Sequence, residues 1–192
     1  MAMPATGTEV QETLTTLMAQ KTRAFARMGV RNLFGRPGYA DFFRGIAADP
    51  ANRDLVHISR LDVGETAAAA NLGLVHARRY YHILASYDDG PTSKYGPGAA
   101  HLHDLMAYAI GRGCNVYDFT IGDEEYKRNW SDGYVELKDH RAILTPIGAA
   151  ATLPAAFVSA VKRVVKHSPR VWSWTVRARA FLGRFRHENP AG

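Results

Sequence analysis

The run from Tyr117 to Trp130, YDFTIGDEEYKRNW, gathers groups that can move protons. Asp118, Asp123, Glu124 and Glu125 are carboxylates, Tyr126 is a phenol, Lys127 is an ammonium, and Trp130 closes the run. Group transfer to an amine or hydroxyl needs a base to take the acceptor's proton and often an acid to protonate the leaving group. Neighbouring carboxylates push one pKa upward, whereas a lysine beside them holds another ionised. Asp118 and Glu124 are therefore candidate bases and Tyr126 a candidate acid. Asp123, Lys127 and Trp130 are candidates for holding the acceptor. A plain structural reading stays open beside this one: a solvated acidic loop in which Lys127 pairs with Asp118 and Trp130 packs in the core.

A second group lies upstream, in Lys94, Tyr95, Gly96, Pro97, Gly98, Ala99 and Ala100. Glycines here let the backbone approach a ligand, and a helix that starts at this turn leaves its first N–H groups unpaired. Those amides and the helix dipole together favour a phosphate or diphosphate. An ordinary tight turn would use the same residues. Other chemistries find less support. Cys114 is the only cysteine, which excludes an internal disulfide, and it follows an apolar helix, where a small packing residue is expected. His101 and His103 are two apart on that helix and point to different sides, so no metal site is expected. No nucleophile elbow, phosphate-binding Walker loop or dinucleotide fingerprint is present.

These groups need a scaffold. Val10, Leu14, Leu17, Met18, Phe25 and Met28 recur at helical spacing, with Thr8 and Gln11 as a capping-box pair and Gly29 as a C-cap. Tyr39, Phe42, Phe43 and Ile46 line a second helix that ends before Pro50. Leu55 to Leu61, Leu72 to Ala77 and Tyr80 to Tyr87 read as an antiparallel meander. Ala67 to Ala70 leans to helix by propensity but is expected to yield to tertiary context. Asn71 and Gly73 are candidates for a bulge, and Arg60, Tyr81 and Tyr87 for lining a cleft. Leu102, Leu105, Met106, Ala109 and Ile110 place an amphipathic helix over Ala99 to Arg112. Val116 to Phe119 then enters the sheet, and Tyr134 to Leu137 and Arg141 to Leu144 read as two short closing strands.

The glycine turn, the helix and YDFTIGDEEYKRNW together resemble the closing half of a CelD-like, FemAB-related (BioF2-like) acyltransferase domain of the GNAT superfamily, over about Thr8 to Leu144. The resemblance implies a single α/β domain at 8–145, with a mixed, mostly antiparallel sheet flanked by helices. It also implies acyl-CoA as donor, with aminoacyl-tRNA as the alternative, and an envelope or exopolysaccharide glycan or its precursor as acceptor. Such domains hold coenzyme A on Gln or Arg, two residues, Gly, one residue, Gly or Ala. Gly96 and Gly98 take the glycine places, while Ser93 stands at the long polar one. Longer relatives carry a second related domain, so a homo-oligomer or a partner supplying one is expected. A noncatalytic binding or scaffold subunit is the competing reading.

Composition fits one core: the 192 residues are 46% hydrophobic and 22% charged, with a net charge of +6. The charge is uneven, because residues 154–192 hold eight basic side chains against Glu188 alone. Phe157, Val161, Val165, Trp172, Trp174, Phe181 and Phe185 interleave with them. Residues 146–192 are therefore expected to be a linker and a basic amphipathic helical tail for an anionic membrane surface, with nucleic acid as rival and simple packing as the bland alternative. Met1 to Thr8 lacks the pattern of a secretory signal, so a cytoplasmic protein, peripheral at the inner membrane, is expected. The uncharged stretch Ala142 to Val161 is long enough to span a bilayer but only weakly apolar.

Overall fold

A computed structural model describes residues 1–122, 124–138, 140, 142, 144, 145 and 148. One compact unit comprises Met1–Arg27 and Arg31–Lys127; the other comprises Met28–Val30 and the residues from Arg128 onward. The basic tail and most of Ala142 to Val161 lie outside the described residues. No helix among the described residues is long and apolar enough to cross a membrane.

The first unit opens with helices α1 (Gly7–Arg27) and α2 (Tyr39–Ala48). The capping box at α1 is Thr6 with Glu9, not Thr8 with Gln11. Glu9 N–H donates to Thr6 Oγ1 at 3.2 Å, and the Glu9 carboxylate accepts from Thr6 N–H at 3.1 Å and Ala5 N–H at 2.6 Å. An ionised carboxylate serves the orphan amides better than the Gln11 amide, so the helix starts ahead of Thr8. Gln11 instead donates to Arg44 O of α2 at 3.4 Å.

Strands β1 (Val56–Val63), β2 (Thr66–His76), β3 (Arg79–Tyr87) and β4 (Val116–Asp118) form one sheet in that order. The first three are antiparallel, and β4 joins β3 in parallel after the crossover through α3 (Pro97–Gly111). Ala67 to Ala70 belongs to β2; Ala68, Ala69 and Ala70 are buried, and that burial overrides their helix propensity. The register slips between Leu72 and Gly73, where Leu72 faces Leu84 but Gly73 faces His82. The extra residue is therefore Ile83 on β3, not a residue of β2 as the sequence led us to expect. Gly73 has a different reason to be glycine: a Cβ there would collide with the Tyr80 ring.

One face of the sheet packs Ile58, Ala70, Leu72 and Leu84 against Leu14, Leu17 and Met18 of α1 and Phe43 of α2. The other face lies under α3, where Tyr80 meets Leu105 and Ala109. Helix α4 (Glu125–Trp130) occupies much of the stretch read as an acidic loop, because Lys127 N–H donates to Glu124 O and the Lys127 ammonium pairs with Glu124 at 2.9 Å. Tyr134 to Leu137 forms no strand; a four-residue alternation gains its backbone hydrogen bonds only where a neighbouring strand offers partners. Of the second expected closing strand, Arg141 and Ile143 fall outside the described residues.

Candidate active site

Strands β3 and β4 pair only over Arg79–Val116, Tyr80–Tyr117 and Tyr81–Asp118. Beyond that point β3 continues through His82 to Tyr87, while the chain leaving β4 turns away at Thr120, whose φ is 59°. The two arms form a fork. Its apex is fixed by Asp118, whose Oδ2 accepts from Arg79 at 2.9 Å and whose Oδ1 accepts from Thr120 N–H at 2.7 Å. Both oxygens of this candidate base thus hold the apex together. Arg79 also lies over the Tyr81 ring.

Across the mouth of the fork stands Lys21 of α1, which donates to Ala85 O on the β3 arm at 3.0 Å. Its pKa is lowered, first by burial; Glu124 opposes that shift and Lys127 adds to it, so both residues of the other arm lie within electrostatic reach. Lys127 is buried and also donates to Ile121 O at 3.0 Å. Tyr126 packs edge-on against Phe119, and burial, then the charge of Glu124, raises its pKa. The fork therefore brings Glu124, Tyr126 and Lys127 together, with Asp118 at its apex. Trp130 ends α4, and Asp123 lies outside the described residues.

The glycine turn sits at the open end of β3. Gly98 lies against Tyr87, the last residue of that strand, so closely that a Cβ at 98 would stand 3.4 Å from Tyr87 Cδ1. Gly96 caps α3 in the left-handed region at φ 65°, which favours glycine, and Pro97 takes the first helical position. Ala99 and Ala100 N–H both donate to Gly96 O, at 3.0 and 3.1 Å. The Gly98 N–H has no acceptor among the described residues. Lys94 and Tyr95 are exposed beside it, the ammonium 4.9 Å from the Tyr95 ring centroid. The loop feeding the turn is tied to α1, because Arg23 pairs with Asp88 at 3.1 Å and Asp89 at 3.0 Å, and Arg27 pairs with Asp89.

Sequence reasoning missed a buried polar chain on the α3 face of the sheet. Asn71 Nδ2 donates to Leu84 O at 3.0 Å, which fixes the amide's orientation, and Asn71 Oδ1 accepts from the Tyr80 hydroxyl at 2.6 Å. With its proton spent there, the Tyr80 oxygen accepts from His57 Nδ1–H at 2.9 Å. The same Asn71 Nδ2 faces His82 Nδ1 at 3.3 Å, so that nitrogen is an acceptor, and the Tyr117 hydroxyl donates to it at 2.8 Å. Neutral His82 therefore carries its proton on Nε2 and neutral His57 on Nδ1. Burial lowers the pKa of both imidazoles to about 4, and burial raises those of Tyr80 and Tyr117. Ser59 and His101 form a separate buried pair at 3.0 Å. The signal was present as polar residues two apart, His57 with Ser59 and Tyr80 with His82, one face of each strand.

His82 is the first β3 residue past the apex, and Thr120 Oγ1 donates to its carbonyl at 3.2 Å. At the fork the neutral His82 imidazole thus stands with the Tyr117 and Tyr126 phenols, the Asp118 and Glu124 carboxylates and the Lys21 and Lys127 ammonium groups. The candidate bases and acids gather at the fork, and the candidate anion-binding turn lies at the open end of β3. A comparison with protein families matches residues 5–128 to the acetyltransferase (GNAT) domain. Neither a curated protein nor a solved structure matches the chain. The family match covers well over half of the chain and runs from ahead of α1 into α4, the elements that build the fork. The chain belongs to the GNAT acetyltransferase family, whose domains take acyl-CoA as donor.

Proposed function

We propose that this chain transfers an acyl group from acyl-CoA to an amine or hydroxyl in the fork between β3 and β4. One observation carries the reading: the glycine turn and the open end of the fork meet at Gly98 and Tyr87, so an anion site adjoins a cleft that holds proton-transfer groups. The turn suits the donor's diphosphate, because Gly98 N–H lacks an acceptor among the described residues, Gly96 needs its left-handed geometry, and the Lys94 ammonium is exposed alongside.

Glu124 takes the proton from the acceptor's nitrogen or oxygen as the new bond to the acyl carbon forms, and Lys127 orients its carboxylate. Tyr126, kept protonated at neutral pH by its raised pKa, gives a proton to the departing sulfur. His82 and Tyr117 line the apex as a fixed hydrogen-bonding pair. Asp118 holds the two arms at the angle that admits substrate. The proposed acceptor is an envelope glycan or its precursor, and its support is the likeness of residues 117–130 to CelD-like and FemAB-related domains.

One observation favours the rival reading of a noncatalytic binding subunit: Ala99 and Ala100 have already given their N–H groups to Gly96 O, so the turn offers fewer free amides than an open helix end. Thiol release from acetyl-CoA, measured with amino-sugar and polyol acceptors, separates the two. Acceptor-dependent release supports transfer. Donor binding without release under any acceptor supports the binding subunit.

A further inference from the structure

Helix α1 sends three cations toward the far half of β3 and the loop after it: Lys21, Arg23 and Arg27. Two of them carry carboxylates, because Arg23 pairs with Asp88 and Asp89 and Arg27 pairs with Asp89. On the other arm of the fork Lys127 pairs with Glu124 at 2.9 Å. Lys21 differs from all three. Its ammonium donates to a neutral carbonyl, Ala85 O, at 3.0 Å and lies 5.7 Å from the centroid of the Phe25 ring, and it has no carboxylate partner among the described residues.

Solvent does not make up the difference. The paired Arg23 and Arg27 side chains are 48% and 47% exposed, whereas Lys21 is half-buried, and burial is the first cause that lowers its pKa. An ammonium drawn partly out of water without a counter-ion is costly, and an anion placed on its remaining donors recovers that cost. Ala85 O takes one of the three ammonium hydrogens and leaves two, the number that a single carboxylate accepts. Glu124 lies within electrostatic reach, but its carboxylate is bonded to Lys127 rather than to Lys21. His82, the neutral imidazole nearby, brings no charge of its own. The sequence pointed to Lys127 as the residue that holds the acceptor; with Lys127 turned to Glu124 and Ile121 O, Lys21 is the ammonium placed for that role.

We infer that Lys21 holds a carboxylate of the acceptor, so that the acceptors of this domain are amines or alcohols that also carry a carboxylate. The inference rests on the acyl-transfer reading of the fork and narrows it to acidic acceptors, with the carboxylate on Lys21 and the nucleophile turned to Glu124. One ammonium matches the single charge of a carboxylate and leaves a phosphate dianion half-neutralised.

The test is titration of the full chain, without acyl donor, with acetate, inorganic phosphate and chloride at matched ionic strength. Binding is read at the nitrogen resonance of the Lys21 ammonium, assigned by its absence from Lys21→Arg, and at the backbone signal of Ala85. The expected result is saturable movement of both signals with acetate, weaker binding of phosphate, and no saturable response to chloride. Lys21→Gln still offers a donor to Ala85 O but loses the charge, so it should weaken acetate at the Ala85 signal by about tenfold or more. The inference is overturned if the Lys21 resonance follows acetate only as it follows chloride, if phosphate binds as tightly as acetate, or if folded Lys21→Gln binds acetate as the parent does. A coenzyme A titration of the same sample keeps the two readings apart. Coenzyme A binding with a silent Lys21 leaves acyl transfer standing and removes the acidic acceptor; a responding Lys21 without coenzyme A binding retains the carboxylate site and removes the transfer reading instead.

Discussion

The Asn71 side-chain amide donates to the Leu84 carbonyl at 3.0 Å across the β2–β3 pair, just before the register slips. A carbonyl can only accept, so this bond sets the direction of every other hydrogen bond in the chain from His57 to Tyr117. Asn71 is fully buried. Asn71→Leu keeps the volume but strands the Tyr80 hydroxyl and the Leu84 carbonyl, and it should destabilise the protein by about 2–4 kcal/mol. Urea unfolding of the variant measures this, and a change below about 0.5 kcal/mol would remove Asn71 from the centre of the network.

Acid should undo the α3 face of the sheet. His57, His82 and His101 have pKa values lowered by burial from the ordinary 6.5 to about 4. Between those values the unfolded chain binds more protons than the folded one. Their contribution is therefore complete above pH 6.5 and is lost as the pH falls toward 4. With all three histidines, the slope in mid-window approaches about 4 kcal/mol per pH unit. Denaturant unfolding across that range checks it; a stability flat from pH 6.5 to 4.5 would show that the imidazoles are not held neutral.

The carboxylates of the fork should separate by role. Glu124→Gln and Tyr126→Phe should each slow acyl transfer by about 10²-fold while leaving donor affinity unchanged. Asp118→Asn should act on the fold instead. Its pair with Arg79 is partly exposed, at 32% and 40%, so the loss in stability should be about 1 kcal/mol or less. Initial rates and thermal unfolding on the three variants give the comparison, and a turnover loss in Asp118→Asn at unchanged stability would return that residue to the chemistry.

The hairpin tip of β2 and β3 holds Ala77 and Arg78 at φ 49° and 59°. Arg78 repays its strain: its guanidinium donates to Gly113 O at 3.2 Å and Asn115 Oδ1 at 2.9 Å, and its carbonyl accepts from Asn115 N–H at 2.7 Å. This anchors the entry to β4. Ala77 has no such role, so Ala77→Gly should stabilise the chain by about 0.5–1 kcal/mol, and a lowered melting temperature would contradict that reading.

What could be read in the sequence was what local periodicity encodes. The apolar stripes of α1, α2 and α3, the glycine turn before α3 and the end of β4 at Asp118 all come from neighbours in the chain. Residues that depend on distant partners were not legible. Ala67 to Ala70 is the exception: the sequence led us to expect that tertiary context would override its helix propensity, and the flanking strands pair with it. The bulge lands on Ile83 because of how β3 meets β2, although Gly73 drew attention to the same place. His57, Asn71 and His82 alternate with apolar residues just as a solvent-facing strand surface does, and only the arrival of α3 over them turns that face into an interior. Lys21 falls on a helix surface by spacing alone, and the sheet's open edge gives it a partner in Ala85.

Calorimetric titration of the full chain with coenzyme A tests the central claim most directly. The account predicts saturable binding, retained in Glu124→Gln and lost in Gly98→Glu, where a carboxylate would meet the diphosphate with like charge beside Tyr87. No saturable heat at millimolar coenzyme A with the fold intact, or equal binding by Gly98→Glu, would contradict it.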